Sequence, residues 1–466
     1  MTNNSNQHRA EEANERLFRK KRRDRGASEK VRLLQLKLYQ KAKQQPTYKF
    51  YILYDKVFGV HMLEQAYRRC KAKAGSPGVD GISFGQIEQT GREAFLNQIR
   101  QELRTRSYTP SPVKRVWIEK ENGGQRPLGI PTIKDRVIQQ ACKMVIEPIF
   151  EADFDDCSHG FRPNRSAKDA ITQIKENLRE GSHEVYDADL SKYFDTIPHD
   201  KLMATLRERI ADPRILRLIR QWLKVPIVEP DGEYTGGRGN TRGTPQGGVI
   251  SPLLANIYMN LIDKIVANPQ GYYAKSGIQM IRYADDFILM GRHIRQEAVI
   301  RLHHYLQRMG LTINAEKSKQ VDARRESFDF LGFTCRYDRS IFDKAGRFWN
   351  IIPKAGSQKK IRQKINTKLK AIGHYSPKQA VGELNPVIRG WVNYYQIPGV
   401  SYTQVATKRL DNYLRSRIER YYRRKSQRKS RLHGGQAYQM LTRDYGLVTS
   451  YVSSGRRPAK AQRRKQ

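Results

Sequence analysis

Two adjacent acids interrupt an otherwise apolar and aromatic stretch, which reads Arg282-Tyr283-Ala284-Asp285-Asp286-Phe287-Ile288-Leu289-Met290. Successive side chains of a β-strand point to opposite faces, so both carboxylates reach one site only if a tight turn separates two short strands. Like charges are unfavourable together unless cations neutralise them, and carboxylates bind hard divalent ions such as Mg2+. The stretch therefore predicts a β-hairpin with both acids at its tip and a magnesium site there. The alternative interpretation is a solvated turn.

The charge balance of the chain indicates a polyanionic partner. Its 466 residues include 87 Lys and Arg against 46 Asp and Glu, which gives a net charge of +41. Because the positive charge is spread along the whole chain, a long nucleic acid fits better than a small phosphate ligand, and binding should weaken as salt rises. The length suggests about three structural pieces. A hydrophobic fraction of 38% is sufficient for packed cores.

The cysteines and the hydropathy exclude several classes of protein. Cys70, Cys142, Cys157 and Cys335 lie far apart, so neither a zinc site nor a disulfide framework is indicated. We expect them to be small buried side chains in a reducing cytosol. No apolar run approaches ~18 residues and the N-terminus is polar, so the sequence predicts neither a membrane span nor a secretory signal.

Hydrophobic periodicity predicts an N-terminal half that is mainly helical, with one basic hairpin. Residues 1–30 form a basic arm that either binds nucleic acid or is a solvated tail. The predicted elements that follow are a helical entry region over 31–69, a loop over 75–81, a helix over 84–105, a strand over 113–118 that opens the basic hairpin, and a helix over 133–150.

The middle of the chain alternates helices and strands. Ser166 is predicted to cap a helix that Gly181 closes, and alternation over residues 185–190 places Asp189 on a sheet surface. A glycine-rich loop over 243–252 leads into a buried helix for which Ser251 is the predicted N-cap. A helix over 296–309 and a strand over 311–314 follow.

Beyond residue 353 the composition favours a separate basic helical domain. Ile361, Ile365, Leu369 and Ile372 form an apolar stripe, and lysines and arginines cover the other faces. Such a helix packs one side on a core and offers another to phosphates. Two further helices are predicted, one from residue 384 and one over 410–424.

Three acids on these elements match a known chemical requirement. Phosphoryl transfer between nucleotides uses two metal ions about 4 Å apart, held by carboxylates from different strands. Asp189, Asp285 and Asp286 supply that number. Asp195 lies six residues after Asp189 at a predicted helix start, where capping is its simpler role.

The order and spacing of these motifs resemble the reverse transcriptases encoded by bacterial group II introns. The resemblance implies an α+β right-hand polymerase with fingers, palm and a C-terminal helical thumb, also called the maturase or X domain. It covers roughly residues 50 to 425. The motifs that carry it are Tyr283-Ala284-Asp285-Asp286, Asp189-Leu190-Ser191-Lys192-Tyr193-Phe194-Asp195, Gly243-Thr244-Pro245-Gln246-Gly247-Gly248, Arg126-Pro127-Leu128-Gly129, His159-Gly160-Phe161-Arg162-Pro163, Asn314-Ala315-Glu316-Lys317, Phe330-Leu331-Gly332-Phe333 and Gly390-Trp391-Val392-Asn393-Tyr394-Tyr395.

The resemblance implies a role for individual residues. Asp189, Asp285 and Asp286 correspond to the catalytic and metal-binding acids. Phe194 corresponds to a gate against the ribose 2′-hydroxyl, or is a core aromatic. Gln246, Gly247 and Gly248 correspond to the loop under the incoming nucleotide, or the glycines serve only a tight turn.

Further correspondences concern the phosphates and the primer. Lys120 and Arg126 correspond to residues that bind the triphosphate, although Lys120 is alternatively a solvated lysine. Lys317 corresponds to a general acid toward pyrophosphate, or is a surface lysine. Phe330, Leu331 and Gly332 correspond to the primer grip.

Contacts to RNA are implied at several further positions. Arg162 and Arg165 are expected to contact template phosphates or, alternatively, to anchor the following helix. Asp80 lies in a loop that is expected to contact the template or, alternatively, to serve only as a turn of the chain. Arg409, Arg415 and Arg420 are expected to bind structured RNA together with nearby aromatic residues, of which Trp391 is the one expected in the core. The implied domains are an arm (1–30), an N-terminal extension (31–110), fingers and palm (111–340), a thumb (341–430) and a basic tail (431–466).

The implied activity is RNA-templated addition of deoxynucleotides to a primer 3′-hydroxyl with two Mg2+ ions, for which Mn2+ is a possible substitute. The implied partners are an RNA template, a DNA primer, dNTPs and a structured intron RNA, in a cytoplasmic bacterial protein associated with nucleoid or ribonucleoprotein. No zinc-spaced cysteines follow the thumb, so the resemblance is to the type without a DNA endonuclease. Two alternatives stay open: a splicing maturase with secondary polymerase activity, and a relative recruited to defence or DNA repair. The sequence leaves the oligomeric state open.

Overall fold

The computed structural model describes residues 28–119, 124–340, 346–372, 375–425, 432 and 435–450. Residues 1–27 of the predicted basic arm (1–30) and residues 451–466 of the predicted tail (431–466) lie outside the described residues, and residues 28–30 are helical. The chain divides into two compact units. The first contains Met1–Arg165, Ala188–Phe287 and Arg295–Ser318, and the second contains Ser166–Asp187, Ile288–Ile294 and Lys319–Gln466.

Helices dominate the N-terminal half. In chain order the elements are α1 (28–44), α2 (Tyr54–Val57), α3 (Val60–Ala72), α4 (Phe84–Thr90), α5 (Arg92–Thr105), β1 (Val113–Glu119), β2 (Gln125–Ile130), α6 (Ile133–Glu151), α7 (Ala167–Arg179), β3 (Glu184–Ala188), α8 (Tyr193–Thr196), α9 (His199–Arg207) and α10 (Pro213–Leu223).

Strands and then long helices follow. The remaining elements are β4 (Pro226–Val228), β5 (Tyr234–Gly236), α11 (Ser251–Ala267), α12 (Tyr272–Lys275), β6 (Gln279–Tyr283), β7 (Asp286–Gly291), α13 (Gln296–Arg308), β8 (Lys319–Asp322), β9 (Phe328–Phe330), β10 (Phe333–Arg339), β11 (Arg347–Pro353), α14 (Ala355–Ala371), α15 (Pro377–Tyr395), α16 (Gln404–Lys425) and α17 (Ala437–Tyr445).

The first unit is built around two helices that are buried on most sides. Val137, Ile138, Ala141 and Val145 of α6 are fully buried, and most side chains of α11 are buried as well. Helices buried on most sides form the centre of a core. Beside this core stands a four-stranded sheet in the order β2-β1-β4-β5, in which β1 and β2 are antiparallel and β1 and β4 are parallel. The predicted basic hairpin is thus confirmed.

The second unit contains strand pairs and a helical cluster. β3 and β8 pair antiparallel, and a three-stranded sheet has the order β11-β10-β9. The predicted apolar stripe of α14 is confirmed, since Ile361, Ile365 and Leu369 are buried in one cluster with side chains of α15, α16 and α17. Helix α7 begins at Ser166 with a capping box that includes Asp169, as the sequence predicted for this serine.

Several sequence predictions were wrong in detail. The predicted strand over 311–314 is absent, because Ile313 makes only an isolated bridge to Leu190. Ser251 is the first residue of α11 rather than its N-cap, and its hydroxyl donates to the carbonyl of Pro245 at 2.9 Å. The helix predicted over 84–105 is two helices, because Gly91 breaks it with φ 113°. Residues 437–445, inside the predicted tail, form α17.

The cysteine prediction agrees with the structure. Cys70, Cys142, Cys157 and Cys335 are free and buried. Burial raises the pKa of Cys70 to about 11, which keeps its thiol protonated near neutral pH. In the described part of the chain, no helix combines the length and the apolarity needed to cross a membrane.

Candidate functional site

The two adjacent acids lie at the tip of a β-hairpin, as predicted. Strands β6 and β7 are joined by a two-residue turn of Ala284 and Asp285, and Asp286 is the first residue of β7. Ala284 has φ 62°, in the left-handed region that L residues other than glycine seldom adopt. Asp285 is half-buried and Asp286 is exposed, whereas Phe287 is fully buried. The apolar flanks thus hold the hairpin in the core while the acids reach its surface.

A buried ion pair anchors this turn from below. The guanidinium of Arg282 is fully buried and pairs with Asp263 of α11, its Nε donating to Asp263 Oδ1 at 2.7 Å. Its Nη1 donates to the carbonyl of Ala284 at 2.8 Å and to Asn256 Oδ1 at 2.9 Å. Asn256 in turn donates to the carbonyl of Gly160 at 2.7 Å. One arginine therefore fixes the backbone of the residue that precedes Asp285.

Gly160 packs directly against the turn. A Cβ atom at this position would lie 2.4 Å from the backbone nitrogen of Ala284, so no larger residue fits without displacing the hairpin. The neighbouring backbone is also bonded to β6, since His159 N donates to the carbonyl of Arg282 and Arg282 N to that of Cys157, both at 2.8 Å. Sequence analysis missed this anchor. Asn256 and Asp263 on the otherwise apolar α11 were the signal, because buried polar side chains need partners.

Asp189 follows β3 directly, and a loop of the first unit fixes its backbone. Its N–H donates to Ser318 Oγ at 3.1 Å, and its carbonyl accepts from Asn314 N at 2.8 Å. The side chain of Asp189 is half-buried, and Lys317 Nζ lies 3.4 Å from its Oδ2. Leu190, the next residue, is buried. The loop that carries Lys317 thus holds both the backbone and the carboxylate of Asp189.

The electrostatics of Asp285 show which charges are nearby. Burial raises the pKa of its carboxyl, the negative charge of Asp189 raises it further, and the positive charge of Arg126 opposes the shift. Two acids from separate elements therefore share one electrostatic site. Both offer the oxygen ligands that Mg2+ prefers.

Among the residues that the structure describes, no group of three or more His, Cys, Asp or Glu side chains is arranged to hold a metal ion. Mg2+ is commonly bound by one or two carboxylates together with substrate phosphates rather than by a closed protein cage. The donor set of Asp189 and Asp285 fits that mode of binding. Lys317 lies at the position where a cation would meet Asp189.

A polar chain links the basic hairpin to the glycine-rich loop. Arg126 Nε donates to Gln246 Oε1 at 3.1 Å, and Gln246 Nε2 donates to Asp195 Oδ1 at 3.0 Å. Asp195 lies inside α8 and does not cap it, which corrects the simpler role given to it. At Gly247 a Cβ atom would lie 2.1 Å from the carbonyl of Gly129. This glycine therefore permits the close approach of two backbones.

Phe194 is 9% exposed in the short helix α8, where its ring lies edge-on to Tyr193. Its carbonyl accepts from Thr244 N at 2.7 Å, so the helix and the glycine-rich loop are joined at this residue. Lys120 lies outside the described residues. Asp80 is exposed and its Oδ1 accepts from Ile82 N at 3.2 Å, which is the hydrogen bond of a turn.

The two arginines expected on template phosphates have internal partners. The side chain of Arg162 is 3% exposed and donates to both oxygens of Glu151 and to the carbonyl of Ser158. This geometry is that of an anchor and does not support a template contact by Arg162. Arg165 forms an ion pair with Asp156.

The predicted primer-grip residues form a tight turn in the second unit. Leu331 and Gly332 connect β9 to β10 with φ 48° and 79°. The hydroxyl of Tyr394 donates to the carbonyl of Leu331 at 2.9 Å, and a Cβ atom at Gly332 would lie 2.8 Å from Tyr395 Oη. Helix α15 thus holds this turn in place.

Three of the arginines predicted to bind RNA lie on α16. Arg409, Arg415 and Arg420 are exposed, and the guanidinium of Arg415 lies 5.6 Å from the ring centroid of Tyr438. Trp391 is half-buried and packs against the core cluster of the four C-terminal helices, whereas Tyr395 and Tyr422 are buried at 7% and 5% exposure.

Comparison with known proteins identifies two domains. Residues 118–335 match the reverse transcriptase (RNA-dependent DNA polymerase) family, and residues 358–439 match the group II intron maturase-specific domain. The mixed α/β architecture agrees with the first match.

Individual relatives agree with these matches. The chain is 36% identical over 306 residues to Protein YkfC of Escherichia coli, which covers 58% of this chain and 78% of the relative. It is 41% identical over 175 residues to the group II intron-encoded protein LtrA of Lactococcus lactis, over 37% of this chain and 28% of the relative. It is 30% identical over 329 residues to the putative COX1/OXI3 intron 2 protein of Saccharomyces cerevisiae, over 59% and 38%.

The chain thus covers most of one relative and less than half of the other two. The hairpin with its two acids lies inside the first matched domain, as does Asp189, and α15 and α16 lie inside the second. On these grounds the chain belongs to the reverse transcriptase family, among members that also carry a group II intron maturase-specific domain.

Proposed function

We propose that this chain adds deoxynucleotides to the 3′-hydroxyl of a primer on an RNA template. The observation that carries the proposal is the anchored hairpin: Asp285 stands at its tip, within electrostatic reach of Asp189, inside the domain that matches reverse transcriptases. Asp286 continues the same turn into β7. A site of exposed and half-buried carboxylates beside a basic hairpin suits a reaction between a nucleic-acid primer and a nucleoside triphosphate.

Asp189, Asp285 and Asp286 would hold two Mg2+ ions, for which Mn2+ is a possible substitute. When bound, the ions activate the primer hydroxyl and stabilise the charge on the leaving pyrophosphate. Asp285 is ionised less readily than an ordinary aspartate because it is buried beside another acid. A nearby cation favours its charged form, so we expect the affinity for the metal to rise with pH.

Arg126, Gln246 and Phe194 are proposed to position the incoming nucleotide. Arg126 is exposed, and among the described residues its side chain bonds only to Gln246, through Nε. Its other donors are therefore available to a triphosphate. Lys120 is proposed to bind the same triphosphate. Phe194 is held by the contact of its backbone to the glycine-rich loop, and its ring would exclude a 2′-hydroxyl.

Lys317 is proposed to donate a proton to the leaving pyrophosphate. Replacing it by arginine keeps the positive charge beside Asp189. It removes the ammonium group that can transfer a proton to the departing oxygen, because a guanidinium stays protonated in proteins. We expect Lys317→Arg to reduce the rate of single-nucleotide addition about 10²-fold, the usual size of general acid catalysis. The measurement is single-turnover extension of a DNA primer on an RNA template.

The matched control for this prediction is Lys319→Arg, two residues further along the chain and paired with Glu326. The control should extend primers at the rate of the unaltered protein. A Lys317→Arg protein that is equally fast would show that charge alone is needed at this position.

The domain organisation is proposed from the same evidence. Residues 111–340 would form fingers and palm after an N-terminal extension over 31–110, and residues 341–430 would form the thumb. Residues 1–30 would be a basic arm and 431–466 a tail that includes α17. The turn of Phe330, Leu331 and Gly332 would grip the primer.

Intron RNA is the proposed partner of the maturase-specific domain. Arg409, Arg415 and Arg420 are exposed on α16, while Leu414 and Ile418 of the same helix are buried. Exposed arginines on a rigid helix suit a structured RNA. By this contact the chain would assist splicing, and Arg165 would contribute a template contact in the first unit.

The test of the proposed function is extension of a labelled DNA primer by the purified chain, with dNTPs and Mg2+, on an RNA template. We expect extension that requires the template and is abolished by chelation of the metal. Asp189→Asn protein purified in the same way controls for contaminating polymerases. Extension by neither protein on RNA or DNA templates would contradict the proposal.

A second candidate function is a splicing maturase whose polymerase activity is secondary. The match of residues 358–439 to the maturase-specific domain favours it. The same preparations distinguish the two candidates, because RNA affinity can be measured beside extension. Tight binding of structured RNA by both the unaltered protein and Asp189→Asn, with extension by neither, would favour the maturase.

A further inference from the structure

A basic cavity lies in the first unit, and none of the three acids is among the residues that line it. Its volume is about 270 Å3. Three of its walls come from α2, from the end of α5 and from the first turns of α10. We call it the arginine pocket, and its principal lining residues are Arg106, Arg214, Arg217, Gln221, Tyr54 and Tyr108.

Three guanidinium groups converge on this cavity. Burial raises the pKa of the Tyr54 hydroxyl, and the charges of Arg106, Arg214 and Arg217 each oppose that shift, so all three lie near one phenol. None of the three side chains forms an ion pair within the part of the chain that the structure describes. Like charges gathered around a cavity are unfavourable without an anion.

The nearest carboxylate is already engaged. Asp212 precedes α10, and its oxygens accept hydrogen bonds from the backbone N–H groups of Leu53, Tyr54 and Arg214 at 2.8–2.9 Å. Three amide donors and the N-terminus of α10 therefore share the charge of this acid. The positive charge of the guanidiniums is left for a ligand from outside the chain.

The backbone at Arg106 supports a specific role for its side chain. Arg106 ends α5 with φ 62°, a left-handed position where glycine is the usual residue. Its N–H donates to the carbonyls of Glu102 and Leu103, which fixes the direction of the chain. Glycine adopts this conformation without steric cost, whereas an arginine does not. The arginine at this strained position places its guanidinium in the lining of the cavity.

The other walls suit an aromatic or apolar group. Tyr54 donates to the carbonyl of Leu103 at 2.8 Å, and Tyr108 donates to Asp135 at 2.6 Å, so both rings are held in fixed positions. Arginine binds phosphate oxygens in pairs and stacks on flat rings. A cavity with both features, close to the lower size of small-ligand pockets at ~300 Å3, fits one nucleotide unit.

We propose that the arginine pocket binds one nucleotide unit of an RNA strand, with its phosphate on Arg106, Arg214 and Arg217, at a position outside the site of the three acids. The choice of RNA over a free nucleotide rests on the proposed function. The net charge of +41 supports a polymer, since a single nucleotide would neutralise little of it.

The test compares two double variants of the full chain that have the same net charge. Arg214→Gln with Arg217→Gln removes two guanidiniums from the pocket. Arg207→Gln with Arg220→Gln removes two exposed arginines that do not line it, one from α9 and one from α10. The probe is a fluorescent 20-nucleotide single-stranded RNA, titrated between 50 and 300 mM salt, with thermal melting to establish that each variant is folded.

We expect the pocket variant to lose about tenfold in RNA affinity and to lower the slope of log affinity against log salt by about 1 to 2. The control should lose less than about threefold. Equal losses by the two variants would overturn the proposal while leaving the proposed function intact. Failure of the unaltered protein to bind any RNA would contradict the proposed function itself.

A second measurement locates the bound strand. RNA containing 4-thiouridine is photocrosslinked to the unaltered protein, and the crosslinked peptides are identified by mass spectrometry. We expect crosslinks at Tyr54 or Tyr108 that disappear in the pocket variant. Uridine monophosphate is the competitor, and abolition of these crosslinks at equal nucleotide concentration would identify a site for free nucleotides and overturn the assignment to an RNA strand.

Discussion

Replacing both Asp285 and Asp286 by asparagine is expected to reduce primer extension by about 10³-fold or more. Asparagine has nearly the same shape and tolerates the turn, but it removes two negative charges from the hairpin tip. Those charges are the ones proposed to hold Mg2+, and a site of this kind depends on charged oxygens placed in advance. The measurement is single-turnover extension of a DNA primer on an RNA template at saturating Mg2+.

The free energy of unfolding distinguishes a loss of catalysis in these variants from a folding defect. The folded-state pKa of Asp285 is raised, mainly by burial and also by Asp189, so its ionised form is disfavoured in the folded protein. A carboxyl of this kind contributes stability below its unfolded pKa and loses that contribution as pH rises through the folded pKa. Asp285→Asn should therefore unfold at pH 7 with a free energy equal to or above that of the unaltered protein.

The advantage of Asp285→Asn should shrink as pH falls toward the folded pKa of Asp285, because the carboxyl of the unaltered protein then becomes neutral. Urea unfolding at several pH values measures this. Loss of activity together with a fall in unfolding free energy at pH 7 would contradict the expectation. Full activity of the double variant would remove Asp285 and Asp286 from the catalytic site.

Replacing Asp263 by asparagine is expected to lower the free energy of unfolding by about 3–5 kcal/mol. Asp263 and Arg282 are both fully buried, and they form a bidentate ion pair between α11 and β6. Removing one charge leaves the other buried without compensation, which is more destabilising than removing both. Urea unfolding of the full chain measures the change.

Asp263→Asn should also slow primer extension, because the guanidinium of Arg282 that pairs with Asp263 donates to the carbonyl of Ala284 at 2.8 Å. The paired variant Asp263→Leu with Arg282→Met should be more stable than Asp263→Asn, because no isolated charge is left inside. That variant should nevertheless extend primers slowly, since methionine cannot donate to Ala284.

The control for the ion pair is Glu297→Gln on α13. Glu297 pairs with Arg301 at 2.7 Å, and both side chains are about half exposed. Exposed pairs of this spacing contribute little to stability because solvent screens them, so the control should barely change the unfolding free energy. Similar small losses for Asp263→Asn and Glu297→Gln would show that the pair of Arg282 and Asp263 is not buried as described.

Local patterns were sufficient for the elements that carry the candidate site. The acids at 285 and 286 could be assigned to a hairpin tip because apolar residues flank them on both sides. Ser166 and the apolar stripe of α14 were likewise predicted from spacing alone. In each case residues within a few positions of each other determine the outcome, since capping and amphipathicity are local properties.

Strand pairing was less predictable for the same reason. Residues 311–314 alternate as a strand would, yet Ile313 makes only one bridge, to Leu190. A strand needs a partner along its length, and the sequence of one segment does not say whether a partner is present. Gly91 similarly ended a helix that periodicity alone would have continued.

The sequence by itself determined the interleaved helices and strands, the basic character and the hairpin with its two acids, because these depend on composition and on short-range periodicity. The right-hand polymerase fold was implied by the resemblance of the motifs to a family. Only the tertiary structure decided that Asp189 stands within electrostatic reach of Asp285, that Arg282, Asp263 and Asn256 hold the turn from below, and that Arg162 is an internal anchor. These relations join residues far apart in the chain. They depend on how helices and strands pack, and packing is a property of the whole core rather than of any one stretch.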